Sequence, residues 1–511
     1  MSVGINVNAD ADEVATETDG KLWEPGFLCD HKIVLDENGR LLPWASFDHI
    51  LQGSMNYIKH CPTVATKFGD DPWYLVTSKL TKDAQFKRNQ NCQGSHAYMA
   101  METLIRYYAY SGDADAIVPV RRILDRVLQY HTPADWAWSN VPRTQDNTPD
   151  GEYTDAYSEP DKMCAVGIAY IKFYKLTGEA KYLDAARGIA ETIVAHVSEG
   201  DADHSPLPFR VKLKDGKVLV SYTGHMILPV VFFDELIRLG ETGGGRYQAK
   251  RDLVWKWIQD YPMKNHLWAN FFEDVNETYT EGNLNQQSPM ETARYMLQHP
   301  ELAPNYREDV PALLAWVKGR FGKTQRFGAT SIREQDGCLY EMGSHTARYA
   351  SITAKWFGVT QDPKDREEAR ASFALASYSA FSKYSKGDDA MNYVGVGYKD
   401  PWFTDSYFDY LNHILDGMAE LPEMAPADAD HMIGTDSIVK KITYQPQHIE
   451  YTTFEPQGNE ILRITFTPGS VLADGKELPT TEWSYGEWRG IPGVLRIHRD
   501  NAKNIVITAA K

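Results

Sequence analysis

The sequence predicts a mainly α fold, a six-hairpin α/α toroid with a small C-terminal all-β, sandwich-like domain. Three observations predict it. An apolar helix, a Gly or Pro break and a second helix recur about every sixty residues, a spacing typical of stacked supersecondary units. The breaks fall at Gly112, Gly178, Gly240, Pro300 and Gly358. The first helices of the units are apolar almost all round, as helices inside a structure are. After Pro426 the pattern changes to alternating polar and β-branched residues, the signature of strands.

The first helices are expected at 94–110, 161–176, 224–239, 288–298 and 344–357, and the second helices carry spaced Arg, Lys and Glu suited to an outer ring. One helix is left over at each end, 44–60 and 402–421. Pairing last with first gives a sixth hairpin and closes the ring. The chain then divides into an N-terminal extension (1–43), the catalytic toroid (44–423), a linker (424–436) and the β-domain (437–511), where Asp474-Gly475 reads as a hairpin turn.

Composition sets limits. The formal net charge of −17 over 511 residues argues against a nucleic-acid partner, because phosphate binding needs a basic surface. No apolar run is long enough to span a membrane. The chain as given reads as cytoplasmic, or as periplasmic or secreted if a leader was removed, and an oligomer is compatible with it. Cys29, Cys61, Cys92, Cys164 and Cys338 lack metal-ligand spacing and read as packing thiols. No histidine pairs with another at helical spacing, so no HExxH zinc site is expected, and no other metal or cofactor.

In a toroid the inner helices run the same way, so their positive N-termini gather at one mouth. Three of those starts carry His96, His225 and His345, each one or two residues after a glycine. Others carry Glu159 and Asp161, Glu291, Glu341 and Asp405. Taken singly, such residues are common helix caps; their convergence at one mouth points to chemistry. The loops leading in hold Trp136, Trp138, Tyr153, Tyr157, Trp268, Tyr279, Tyr393, Tyr398 and Trp402. Aromatic faces beside carboxylates suit a sugar ring.

The stretch DKMCAVGIAYIKFYKLTGEAKYLDAARGIA resembles the second repeat of unsaturated glucuronyl hydrolases, and Asp161 matches the position of that family's acid. The family's other aspartate has no match, since GSHAYM puts His96 there. The whole layout, toroid plus a terminal β-domain containing VLADGKELP, is similar to glycoside hydrolase family 154. That resemblance implies β-glucuronidase-like removal of a terminal glucuronic acid from a glucuronide or uronic-acid-containing oligosaccharide.

Such hydrolysis needs two carboxyl groups, one acting as acid and one as base or nucleophile. Asp161 or Glu159 is the expected first partner, and Glu291 or Glu341 the second. Arg294 and Arg348, on inner helices, are the candidates to clamp a uronate carboxylate. His96, His225, His345, Tyr222 and Trp402 complete the expected substrate contacts. Three alternatives stay open: a uronate lyase pairing His225 with Tyr222 or His345 with Tyr340, a sugar epimerase using two histidines across the ring, and a glycan-binding protein without catalysis.

Overall fold

The computed structural model describes residues 32–76, 93–145, 153, 157–272, 283–323, 325–336, 338–381, 391–392 and 402–510. Thirteen α-helices run through the first four fifths of the described chain, and antiparallel sheets fill the rest. Helix α1 spans Phe47–Lys59, α2 Gln93–Ser111 and α3 Ile117–Gln129. Next come α4 (Pro160–Thr177), α5 (Ala180–His196), α6 (Ile227–Arg238), α7 (Arg246–Asp260) and the single turn α8 (Pro262–Asn265). The series ends with α9 (Gln287–Gln298), α10 (Tyr306–Phe321), α11 (Gly343–Thr360), α12 (Pro363–Ser377) and α13 (Tyr410–Gly417). A π-helical turn, Asp405–Asp409, leads into α13.

Local chemistry sets the ends. Pro160 occupies the first turn of α4, where its missing N–H costs nothing, and Gly178 stops the helix at φ 78°. The break expected at Gly358 falls three residues later. Helix α11 runs through it to Thr360, and Gln361 takes the left-handed turn at φ 58°. Gly358 serves packing instead, since a Cβ there would lie 2.8 Å from the Glu420 carboxylate.

Helix α2 packs on α4, α4 on α6, α6 on α9, α9 on α11, α11 on α13, and α13 back on α2. Each of the first five also packs on the helix that follows it in sequence. Helix α1 meets the turn before α13, where Tyr57 stacks on Tyr407 with ring centroids 5.0 Å apart. The helices of the inner circuit are buried on nearly all sides, as their composition requires: in α4, Met163 through Ile171 are all buried. Helix α3 instead buries one stripe, Val120, Ile123, Leu124 and Val127.

The C-terminal region holds two antiparallel sheets. His431–Thr435, Gly458–Arg463, Ile491–Arg499 and Trp483–Trp488 form one, in that order. Val439–Gln445, His448–Thr453, Asn504–Ala509, Pro468–Ala473 and Lys476–Glu477 form the other. The turn at Asp474-Gly475 has the positive φ values, 48° and 78°, that its sequence signals. The first strand lies within 424–436, so the segment expected as a linker already contributes a strand. Trp483 and Tyr485 pack against the main core. Upstream of α1, Ile33 and Leu41 join a small cluster with Ala371, Leu375 and Tyr378. Among the described residues no helix is long and apolar enough to cross a membrane.

Candidate functional site

Contacts between neighbours show that the starts of the inner helices meet. A Cβ on Gly94 would lie 2.6 Å from the Cβ of Lys162. His96 Nδ1 lies 2.8 Å from Thr404 Oγ1, and His225 Nδ1 lies 3.3 Å from Asp161 Oδ2. Arg348 reaches Gln286 at 3.5 Å, and Ser344 reaches Asp405 at 3.5 Å. The stretches leading into four of the six starts (77–92, 146–156 apart from Tyr153, 273–282, and 382–401 apart from 391–392) lie outside the described residues.

A small cavity of about 30 Å³ lies just inside these starts, lined by His225, Phe271, Gln287, Glu291, Arg348 and Asp409 among others. A larger one, about 810 Å³, lies at the other end of the inner helices, against residues 432–439 of the β-region. Size alone would favour the larger. We place the site at the smaller, because His225, whose Nε2 has no hydrogen-bond partner among the described residues, lines it together with Glu291, Arg348 and Asp409.

The first cluster is built on α4 and the turn before α6. Asp161 is buried and ion-paired to Lys162 at 2.9 Å. Burial pushes its pKa up, but Lys162 and His225 outweigh this and hold the carboxyl below its usual range. Lys162 also donates to the Phe271 carbonyl and lies 3.9 Å over the Phe271 ring. His225 faces that ring too, with centroids 4.1 Å apart. The Phe271 segment is held by Asn270, whose side chain donates to the Tyr222 carbonyl at 3.0 Å.

The second cluster joins α9, α11 and the turn before α13. Arg348 donates to both oxygens of Asp409 at 2.6 Å, to Glu291 at 3.1 Å and to His345 Nδ1 at 3.0 Å. Arg294 donates to Glu291 at 2.9 Å, to Asp416, and to His413 Nδ1 at 3.1 Å. His413 Nε2 closes the network on Asp409 at 3.1 Å. Although burial raises the pKa of Glu291, the two guanidinium groups win and hold it below its usual range. His345 lies beside Phe272, centroids 5.6 Å apart, and Phe272 packs edge-on against Phe271. The two histidines therefore flank one pair of phenylalanines.

Of the residues expected to act, the structure brings Asp161, His225, Glu291, Arg348, Arg294 and His345 into these two clusters. It places the others elsewhere. Glu159 is fully enclosed by Arg210 at 2.9 Å, Lys162 at 3.2 Å and Gln145 at 3.2 Å, and burial raises its pKa against the pull of those cations. Glu341 accepts from Arg326 at 2.9 Å and Ser331 at 2.8 Å and lines neither cavity. Tyr222 donates to the Leu267 carbonyl, which ties it to the loop. His96 packs between Phe403 and Phe408. Trp138 and Trp268 are core residues, and Trp402 is partly buried. Tyr279, Tyr393 and Tyr398 lie outside the described residues, as does the side chain of Tyr340. The arginines expected to clamp a uronate are already engaged by Asp409, Glu291 and Asp416.

Sequence reading missed Lys162, Phe271, Phe272, Asp409 and His413. The last two stand four apart in DYLNH, a spacing that puts both on one helix face. His345, Asp405 and Asp409 present ligand-type atoms within 4.8 Å of one another, the spacing of a metal site. Arg348 already supplies the cation at Asp409.

Burial keeps these histidines neutral. It lowers His96 and His131 to about 4, lowers His225 and His413, and takes His345 far down with help from Arg348. The unfolded chain takes up protons near 6.5, before the folded one does, so stability is fully present above that pH and is lost as pH falls toward 4. The expected result is a urea midpoint that falls steadily between pH 7 and pH 5; a flat midpoint would contradict the neutral assignment.

No protein-family description and no curated protein matches this sequence. Solved structures do match in fold. A sugar epimerase from a ruminal bacterium aligns with a TM-score of 0.55 at 9% identity, over 72% of this chain and 96% of its own. A cellobiose 2-epimerase from Spirochaeta thermophila aligns at 0.53 and 12% identity, over 74% and 95%. An unsaturated glucuronyl hydrolase specific for heparin aligns at 0.47 and 11% identity, over 73% and 98%. At these identities the likeness is one of fold, shared with carbohydrate-active enzymes.

Proposed function

We propose that this chain closes into a six-hairpin toroid and is a sugar isomerase or epimerase. In this reading it moves a proton at the carbon next to the carbonyl of an open-chain reducing sugar. One observation carries the reading: His225 and His345 are buried, held neutral, flank the Phe271–Phe272 pair, and keep Nε2 atoms with no hydrogen-bond partner among the described residues. Neutral imidazoles with a free ring nitrogen suit proton abstraction and carbonyl polarisation near neutral pH. The fold is one that structures named as sugar epimerases also adopt.

Glycoside hydrolysis of a glucuronide is the second reading, and Asp161 is the observation that favours it. Its carboxylate stays ionised beside His225, as a base or nucleophile must. Among the described residues of the two clusters, the acid partner is lacking. Asp161 and Glu291 are both held ionised, and Glu159, whose pKa is raised, is enclosed by its own cations.

The test is product analysis on two substrate sets. Glucose, mannose and cellobiose are expected to yield an isomer or epimer, while 4-nitrophenyl β-D-glucuronide releases no nitrophenol. Release from the glucuronide without conversion of any reducing sugar would reverse the order of the two readings.

A further inference from the structure

The structure assigns opposite tautomers to the two histidines: His225 is a bare Nε2 base set by Asp161, and His345 is an Nε2–H donor set by Arg348. The assignment follows from which groups face each Nδ1. An arginine can only donate. Arg348 Nη1 lies 3.0 Å from His345 Nδ1, so that nitrogen must present its lone pair. A neutral imidazole carries one proton, and in His345 it therefore sits on Nε2. At His225 the neighbour is the ionised carboxylate of Asp161, 3.3 Å from Nδ1 and outside linear hydrogen-bond geometry. A carboxylate repels a lone pair and attracts an N–H. The proton of His225 therefore sits on Nδ1, and its Nε2 is free to accept.

His413 shows the same logic inside the cluster: it accepts from Arg294 at Nδ1 and faces Asp409 through Nε2. Phe271 and Lys162 complete the setting of His225, and Phe272 and Asp409 that of His345. Asp161 and Arg348 act here as positioning residues.

Combined with the isomerase reading, on which this part rests, the tautomers set the direction of chemistry. His225 Nε2 takes the proton from C2 of the open-chain aldose. The C–H electron pair becomes the C1–C2 double bond, and the carbonyl pair moves to O1. His345 Nε2–H donates a hydrogen bond to that oxygen without losing its proton, because loss would leave an imidazolate. The protonated His225 then returns its proton to C1, and the O2 hydroxyl proton passes to O1, leaving a ketone at C2. One base on one face yields the ketose. Inversion at C2 would need a second base on the other face.

Nitrogen-15 spectra of the full-length protein labelled in its histidine rings test the assignment directly. His225→Gln and His345→Gln each remove one set of signals and so identify them. The expected spectrum shows His225 protonated at Nδ1 and His345 at Nε2; the reverse for either, or one tautomer for both, overturns the proposal. Asp161→Asn is expected to shift the His225 proton to Nε2 and leave His345 unchanged, which a purely structural role for Asp161 would not do. Should that variant not fold, the unsubstituted protein's spectrum still decides. A C2 epimer forming as fast as the ketose would also overturn the one-base scheme. Correct tautomers with no sugar conversion would sink the isomerase reading and leave the assignment standing.

Discussion

Replacing His225 with asparagine is expected to lower the rate of sugar proton exchange by ~10²–10⁴-fold, the usual worth of a positioned general base. The fold should survive, because Lys162 still pairs with Asp161 at 2.9 Å after the imidazole is gone. His345→Asn should reduce turnover as well, but its effect falls on carbonyl polarisation, so the pH dependence of the remaining activity should differ between the two variants. Steady-state rates with circular dichroism as a folding control read both. Unchanged rates in folded His225→Asn would remove that residue from the chemistry.

The second large effect is on stability. Asp416 is buried and takes ion pairs from Arg294, from Arg106 at 3.1 Å and from Lys355 at 3.1 Å. Those cations hold its carboxyl far below the usual range in spite of its burial. Asp416→Ala leaves the buried Arg294 guanidinium and the partly buried Arg106 and Lys355 without their shared carboxylate, and breaking a buried pair in this way typically costs about 3–5 kcal/mol. An exposed pair gives the contrast. Lys181 and Asp125 are 45% and 36% exposed, and Lys181→Ala should cost about 1 kcal/mol or less. Urea unfolding of both variants checks the ranking, and comparable losses would contradict it.

The helical part of the fold was legible because burial of whole helices leaves a strong mark on composition. Helices α2, α4 and α11 start within a residue of their expected positions. The break at Gly358 was misplaced for a physical reason: a glycine that admits Glu420 looks in sequence like one that ends a helix. The site was only partly legible. The histidine-bearing starts stood out because they repeat. Phe271 and Phe272 did not, since they lie in a loop whose path is set by Asn270 and Thr223 rather than by a motif. Arg294 and Arg348 read as a ligand clamp, and their partners Asp409 and Asp416 were invisible until α13 packed beside them. Sequence spacing carries periodicity well; pairings between helices far apart in sequence, such as Arg294 with Asp416, it carries hardly at all.

In the isomerase reading His225 removes a proton from the carbon beside a sugar carbonyl. Proton NMR of mannose or glucose in deuterium oxide, with the unsubstituted protein and His225→Asn side by side, measures this most directly. The C2 proton signal is expected to be lost with the unsubstituted protein and retained with the variant. An intact C2 signal in both, across the reducing sugars tried, would contradict it.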